Sequence, residues 1–318
     1  MPELSSGPTL RGGGRPGRLI PQGGIVRKIL LALTALLGLL LASASPAAAI
    51  TGNYVKDVEH PYVGLLTTFD ADGEFAGRCS GSLLTPTVFL TAGHCTEDVA
   101  TAVVYFQQDA GVNYDPETEL DPITGYPEFC AGDTLGVVCA TSDETYNWGF
   151  DDFVGFPDTK DLGLVILDQP IALAEYGSLA AVGSLDSLAT AQGTKDVTFT
   201  ASGYGLSYSS PVAVVSFRER LMASARLTNL TSNNTGGFNL QTTGNGKGKG
   251  GTCSGDSGGP VFYGGYTSNT IVAVTSFGLN SYCRGTDFGY RVDTQAAQDW
   301  IRSVVGDDEY ATIDVVAI

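Results

Sequence analysis

From Ile50 onward, apolar and β-branched residues recur in short runs separated by clusters of Gly, Pro, Asn and Asp. Runs at 62–69, 82–91, 101–107, 162–167, 197–202, 258–263 and 270–278 have strand length and turn-forming flanks, so each predicts a β-strand. One segment, 294–305, has helical periodicity instead. Ala297, Trp300, Ile301 and Val304 fall on one face of it, behind a threonine, Thr294, that can cap it. Residues 306–318 follow with a β-like finish. The pattern predicts an all-β protein with a helix near its C-terminal end.

The first 49 residues follow a different pattern. Arg27 and Lys28 precede an apolar run at 29–41, and Ala47-Ala48-Ala49 follows it. A run that short is a signal-peptide core rather than a membrane span, and the alanines offer a cleavage site. Residues 1–25, rich in Gly, Pro and Arg, predict no fold. The organisation expected is therefore an N-terminal extension with signal peptide over 1–49 and one folded domain over 50–318, large enough for two packed barrels. Residues 1–49 carry Arg11, Arg15, Arg18, Arg27 and Lys28 against Glu3, so setting them aside moves the formal net charge from −17 to about −21. A chain so acidic favours neither nucleic acid nor an anionic membrane surface, and stays soluble.

All six cysteines, Cys79, Cys95, Cys130, Cys139, Cys253 and Cys283, follow residue 50. An even count in an exported chain fits disulfides, but six cysteines allow fifteen pairings and spacing cannot choose among them. CxxC and HExxH spacings are absent from the sequence, so neither a metal nor a cofactor is expected.

The chemistry is concentrated in Cys253-Ser254-Gly255-Asp256-Ser257-Gly258-Gly259-Pro260. A serine hydroxyl is a weak nucleophile until a base takes its proton. The chain has two histidines. His60, in Glu59-His60-Pro61, reads as a surface or satisfied core residue. His94, in Leu90-Thr91-Ala92-Gly93-His94-Cys95, follows a predicted strand and is the candidate base.

These segments resemble the chymotrypsin/trypsin-like serine endopeptidases. Thr91-Ala92-Gly93-His94-Cys95 is similar to the family's histidine motif, with Gly93 where Ala is commoner. Gly255-Asp256-Ser257-Gly258-Gly259-Pro260 matches its nucleophile motif. Asp161-Leu162-Gly163-Leu164-Val165-Ile166-Leu167 resembles its aspartate segment, while the nearby acids Asp151, Asp152 and Asp158 open no aliphatic strand. Ala201-Ser202-Gly203-Tyr204-Gly205 and Ser276-Phe277-Gly278 resemble two further segments, with Phe277 where Trp is usual. The order His, Asp, Ser fits this family and not subtilisins or α/β-hydrolases.

The resemblance implies two packed six-stranded antiparallel Greek-key β-barrels with a C-terminal helix. It implies Ser257 as nucleophile, His94 as base, Asp161 as orienting acid and the amides of Gly255 and Ser257 as the oxyanion hole. It implies disulfides Cys79–Cys95 and Cys253–Cys283, leaving Cys130 and Cys139 to each other. Asp256 is implied to pair with an ammonium freed at Ile50. Signal cleavage after Ala49 would create that terminus, whereas a cut after Ala44 would leave a five-residue pro-segment, 45–49. In the specificity pocket, with Ser276, Phe277 and Gly278, Gly251 stands where trypsin-like members carry an acid. Asp287 is placed on the opposite wall, where it favours Arg or Lys at P1. A long insertion at about 108–158 reads as surface decoration rather than as a wall of the cleft. The function expected is a secreted, monomeric endopeptidase acting on protein or peptide substrates, without nucleic acid or stable membrane association. The other readings are a non-catalytic protease-fold binding protein and an esterase-like hydrolase with the same triad.

Overall fold

The computed structural model describes residues 50–110, 124, 138–189, 197–216 and 218–318. Cys130, most of residues 108–137 and the signal-like segment therefore lie outside the described residues.

The strands form two barrel-like sheets. The first runs Cys139–Ser142, Thr101–Tyr105, Val63–Phe69, Phe75–Leu83, Val88–Thr91, Gly163–Ile166 and Glu144–Asn147, antiparallel throughout. Its two edge strands are separated in the chain by Asp143 alone, so the sheet nearly closes. Leu66, Phe89, Val104 and Val165, all buried, fill it. In the second, Pro260–Tyr263, Thr198–Gly203, Leu221–Asn229, Asn239–Thr243, Thr286–Arg291 and Thr270–Gly278 pair in that order. The last pairs back to the first, closing a six-stranded ring. Phe199, Leu227, Leu240 and Val261 pack inside it. The six strands expected are found in the second barrel. The first has seven, because Cys139–Ser142 and Glu144–Asn147 come from the end of the long insertion.

One local expectation is corrected and another is met. The run 82–91 is not one strand: Phe75–Leu83 ends, Leu84 donates its amide to the Val88 carbonyl, and Val88–Thr91 returns antiparallel. Pro86 sits in that reversal, where its lack of an N–H costs no ladder bond. The helix is Gln295–Val305, with Thr294 as its cap accepting the Ala297 amide at 3.2 Å. Ala297 and Ile301 are fully buried, and Trp300 stacks on Trp148 at 5.7 Å. The tail then forms a second short helix, Asp307–Tyr310. It ends in Val315–Val316, parallel to Ser178–Ala180, which itself runs parallel to Thr270–Gly278.

The N-terminal segment lies on the second barrel before the chain enters the first. Tyr54–Lys56 pairs with Leu221–Asn229, and Thr51–Gly52 with Gly250–Gly251. Between the barrels a polar cluster is sealed from water. Arg220 donates to the carbonyls of Asp57, Val63 and Phe106, and the Asp57 carboxylate accepts from His60 at 2.8 Å and Ser202 at 2.5 Å. His60 is only 2% exposed and stacks on Phe262, which makes it a satisfied core residue. Buried ionic groups persist only with such dense partners.

Candidate active site

His94 lies in the turn Gly93–Cys95 that follows strand Val88–Thr91, and Asp161 lies just before Gly163–Ile166. Those strands are neighbours, with Thr91 opposite Gly163, so the ladder itself brings the two side chains together. Asp161 is fully buried. Its Oδ1 accepts the His94 amide at 2.8 Å, and its Oδ2 lies 3.0 Å from His94 Nδ1. Ser276, on Thr270–Gly278 of the other barrel, donates its hydroxyl to Oδ2 at 2.5 Å. The sequence placed Ser276 beside substrate; the structure also ties it to the acid. Asp151 and Asp152 are exposed, and Asp158 accepts from the Tyr290 hydroxyl instead. Burial alone lowers the His94 pKa. The charge and hydrogen bond of Asp161, with Glu97 beyond, outweigh it and hold the imidazole above its ordinary value.

Ser257 precedes Pro260–Tyr263 of the second barrel and lines two cavities that meet at it. One, of about 300 Å³, contains His94, Arg78, Glu97 and Gly255. The nucleophile loop is tightly tied. The amides of Asp256, Gly258 and Gly259 donate to the carbonyls of Cys253, Thr275 and Asp256. Those of Gly255 and Ser257 have no protein acceptor among the described residues. Gly255 has φ +95°, and a Cβ there would stand 2.9 Å from the Gly205 Cα. The position demands glycine on both counts.

The other cavity, of about 390 Å³, is lined by Ser257, Ser276, Phe277, Gly278 and Asp287. Asp287 is 7% exposed, and its Oδ2 accepts the Thr252 amide at 3.1 Å. Burial raises its pKa to about 6, against the Thr252 hydrogen bonds, which lower it. Gly251 lies behind it: a Cβ at Gly251 would be 2.5 Å from Asp287 Oδ2. The absence of a side chain at Gly251 and the presence of an acid at Asp287 are two sides of one steric fact. Phe277 stacks on Phe288 at 4.4 Å and meets Phe153 edge-on at 5.2 Å. Phe153 touches Phe150, and Phe150 touches His94, with ring centroids at 5.2 and 5.6 Å. The described end of the insertion is thus an aromatic wall running from His94 to the cavity, and not the decoration expected. A cleft wall is the alternative reading of the sequence; what the sequence does not show is that Phe150 and Phe153 link His94 to Phe277.

Asp256 is fully buried, with Gly205 N and Cys253 N donating to its two carboxylate oxygens at 2.8 and 2.9 Å. Burial raises its pKa to about 7; the two amides oppose this, Asp287 adds to it and Arg78 opposes it. Ile50 is also fully buried, packed with Ala201, Leu221 and Ala223. Cys79–Cys95 and Cys253–Cys283 are disulfides, and Cys139 is disulfide-bonded too. Cys79, His94 and Cys95 bring ligand-type atoms within 4.8 Å of one another, but sulfurs joined in a disulfide are not thiolate ligands.

Two β-barrels, with histidine and acid on one and serine on the other facing a shared cleft, define the chymotrypsin-like class of serine endopeptidases. The chain belongs to the Trypsin family, whose sequence model matches residues 49–301. Brachyurin from Leptuca pugilator is 27% identical over 233 residues, covering 72% of this chain and 88% of that protein. The fold is similar to that of HL collagenase, with a TM-score of 0.58 and 20% identity over 81% of this chain and 99% of that one. It is also similar to human heparin binding protein, with a TM-score of 0.54 and 19% identity over 80% and 96% of the two chains.

Proposed function

We propose that the chain is a secreted endopeptidase that cuts peptide bonds through Ser257, His94 and Asp161 and prefers Arg or Lys at P1. Ser257 Oγ attacks the scissile carbonyl carbon while His94 takes its proton. Asp161 holds the imidazole with Nδ1 protonated and stabilises the imidazolium, and the developing oxyanion is met by the amides of Gly255 and Ser257. His94 then protonates the leaving amine, and water, activated by the same imidazole, releases the acyl group from Ser257. The observation carrying this reading is the three-way grip on Asp161 by the His94 amide, His94 Nδ1 and Ser276, at the edge of the cavity that holds Ser257. The P1 preference rests on the buried acid Asp287 in the adjoining cavity. Secretion is supported by the disulfides and by the signal-like segment at 29–49. The chain acts as a monomer without a metal. An α-ammonium freed at Ile50 pairs with Asp256.

A phosphonofluoridate is expected to label Ser257 and to fail on Ser257→Ala. Casein, collagen and peptide p-nitroanilides are then offered with simple esters; collagen belongs in the set because one structural relative is a collagenase. Folded protein that resists labelling would make the chain a binding protein. Ester turnover without proteolysis would make it an esterase.

A further inference from the structure

The oxyanion loop belongs to the second barrel, yet Ser80 holds it from the first. Ser80 lies in strand Phe75–Leu83 and is fully buried. Its amide donates to the Ser257 carbonyl at 2.7 Å. Its hydroxyl donates to the Gly255 carbonyl at 2.8 Å and accepts the Tyr204 amide at 2.9 Å. Its own carbonyl accepts the Thr91 hydroxyl at 2.8 Å, which fixes its backbone three residues before His94.

We propose that the Ser80 hydroxyl is a positioning group for the oxyanion hole, locking the peptide after Gly255 so that the Gly255 amide points into the cleft. This rests on the hydrolase reading above. The peptide joining Gly255 to Asp256 is gripped at both ends: its oxygen by Ser80 and its N–H by the Cys253 carbonyl at 2.9 Å. With φ at +95°, Gly255 has the freedom to turn over, because glycine populates both halves of the φ range. Turning that peptide over releases Gly255 at its Cα, so the preceding peptide, Ser254–Gly255, which carries the Gly255 N–H, is free to rotate out of the cleft. In the arrangement observed, turning over breaks the Ser80 bond and strands a buried carbonyl, which is costly. Without the hydroxyl, the Gly255 carbonyl and the Tyr204 amide are already stranded, and the active arrangement loses its advantage. The same side chain joins the loop to Tyr204, whose neighbour Gly205 donates to Asp256, so one hydroxyl ties together the two segments that cradle the loop. Ser80 touches no substrate atom and acts through Gly255.

The test uses Ser80→Ala and Ser80→Gly in the full secreted chain. Both keep the main-chain bond to Ser257; Ser80→Ala removes only the hydroxyl, and Ser80→Gly removes Cβ with it. A phosphonofluoridate and a peptide p-nitroanilide are the probes, since phosphonylation and acylation both place an oxygen in the oxyanion hole. The expected result is a fall in kcat and in the phosphonylation rate of Ser257 of about 10- to 100-fold, short of the loss on deleting a donor outright. KM stays within about threefold and the near-UV circular dichroism is unchanged. Rates within about threefold of wild type in either folded variant overturn the proposal. So does a rise in KM that accounts for the loss, or failure of both variants to fold, because each assigns Ser80 to packing. If wild-type protein itself resists labelling, the hydrolase reading falls and takes this proposal with it. Labelled wild type with equally reactive variants removes the Ser80 proposal alone.

Discussion

Asp287 shows how one side chain's surroundings set the charge it presents to a cavity. It is buried at the cavity wall and its pKa is raised to about 6. A carboxyl with that value is neutral in mild acid and ionised above neutrality, so the cavity presents two different walls across an accessible pH range. The expected consequence is a pH-dependent P1 preference. The ratio of kcat/KM for Arg over Phe substrates should rise with pH about a midpoint near 6 and level off above it. Taking the ratio cancels the titration of His94, which affects both substrates alike. A hydrogen bond to a charged partner contributes about 1.5–3 kcal/mol, so the rise should be about 10- to 150-fold. Peptide turnover between pH 4.5 and 8 measures it, and a ratio that is flat in wild type, or equally steep in Asp287→Ala, removes Asp287 from the pocket chemistry. His94, Asp161 and Ser257 were legible in the sequence because each sits in a contiguous motif whose residue types follow from its chemistry. Asp287 was placed beside the pocket only by resemblance to the family, not by a motif of its own. Ser80 and the Ser276 bond to Asp161 were not legible, since those contacts join residues far apart in the chain.

At the scale of elements, legibility followed local pattern. The strand Thr270–Gly278 is an unbroken apolar and β-branched run buried along most of its length, and sequence places it residue for residue. Strand Leu221–Asn229 carries Ser224, Arg226 and Thr228 in partly or fully exposed positions, and no run marked it. The closed ring of the second barrel makes it a strand, through pairing with Thr198–Gly203 on one side and Asn239–Thr243 on the other. The tail was the least legible element. Its last strand has two residues, and the bonds that place it are Leu179 N to the Asp314 carbonyl at 2.8 Å and Ala181 N to the Val316 carbonyl at 2.7 Å. Ile313, 5% exposed, anchors the tail in the main core, and Glu309 accepts the Thr85 hydroxyl at 2.7 Å. The tail therefore covers a sheet edge that would otherwise present unpaired amides. Ile313→Ala should cost about 2–4 kcal/mol, the range for truncating a buried isoleucine. The guanidinium unfolding midpoint should fall accordingly while kcat stays unchanged, because Ile313 lines neither cavity at Ser257. An unchanged midpoint would mean that the tail contributes nothing to the fold.

At the scale of the whole molecule, the proposed pairing of Ile50 with Asp256 ties the N-terminal segment to the nucleophile loop. Thr51–Gly52 is already paired with Gly250–Gly251, behind Asp287, and the Thr51 hydroxyl reaches the carbonyl of Cys283, a lining residue of the cavity beside Ser257, at 3.1 Å. Asp256 is buried beneath the loop with two amide donors and a pKa raised to about 7. Its unfolded value is near 3.8. A carboxyl whose folded pKa is raised contributes stability that is full below the unfolded value and lost as pH rises through the folded one. A chain in which Ile50 is still joined to Ala49 should therefore lose stability as pH climbs from about 4 through 7. Freeing an ammonium at Ile50 reverses the sign, since a paired carboxylate has a depressed pKa and contributes most at neutral pH. The measurement is Tm against pH for two secreted forms, one beginning at Ile50 and one retaining 45–49. The Ile50 form should be the more stable at pH 7.5, by several degrees, and the two should converge near pH 4. Acetylating the terminal amine of the Ile50 form should return it to the behaviour of the longer one and abolish hydrolysis together with the added stability. If the form that retains 45–49 is fully active and shows the same pH profile, Asp256 is satisfied by its two amides alone. The cleft would then be organised without any contribution from the terminus.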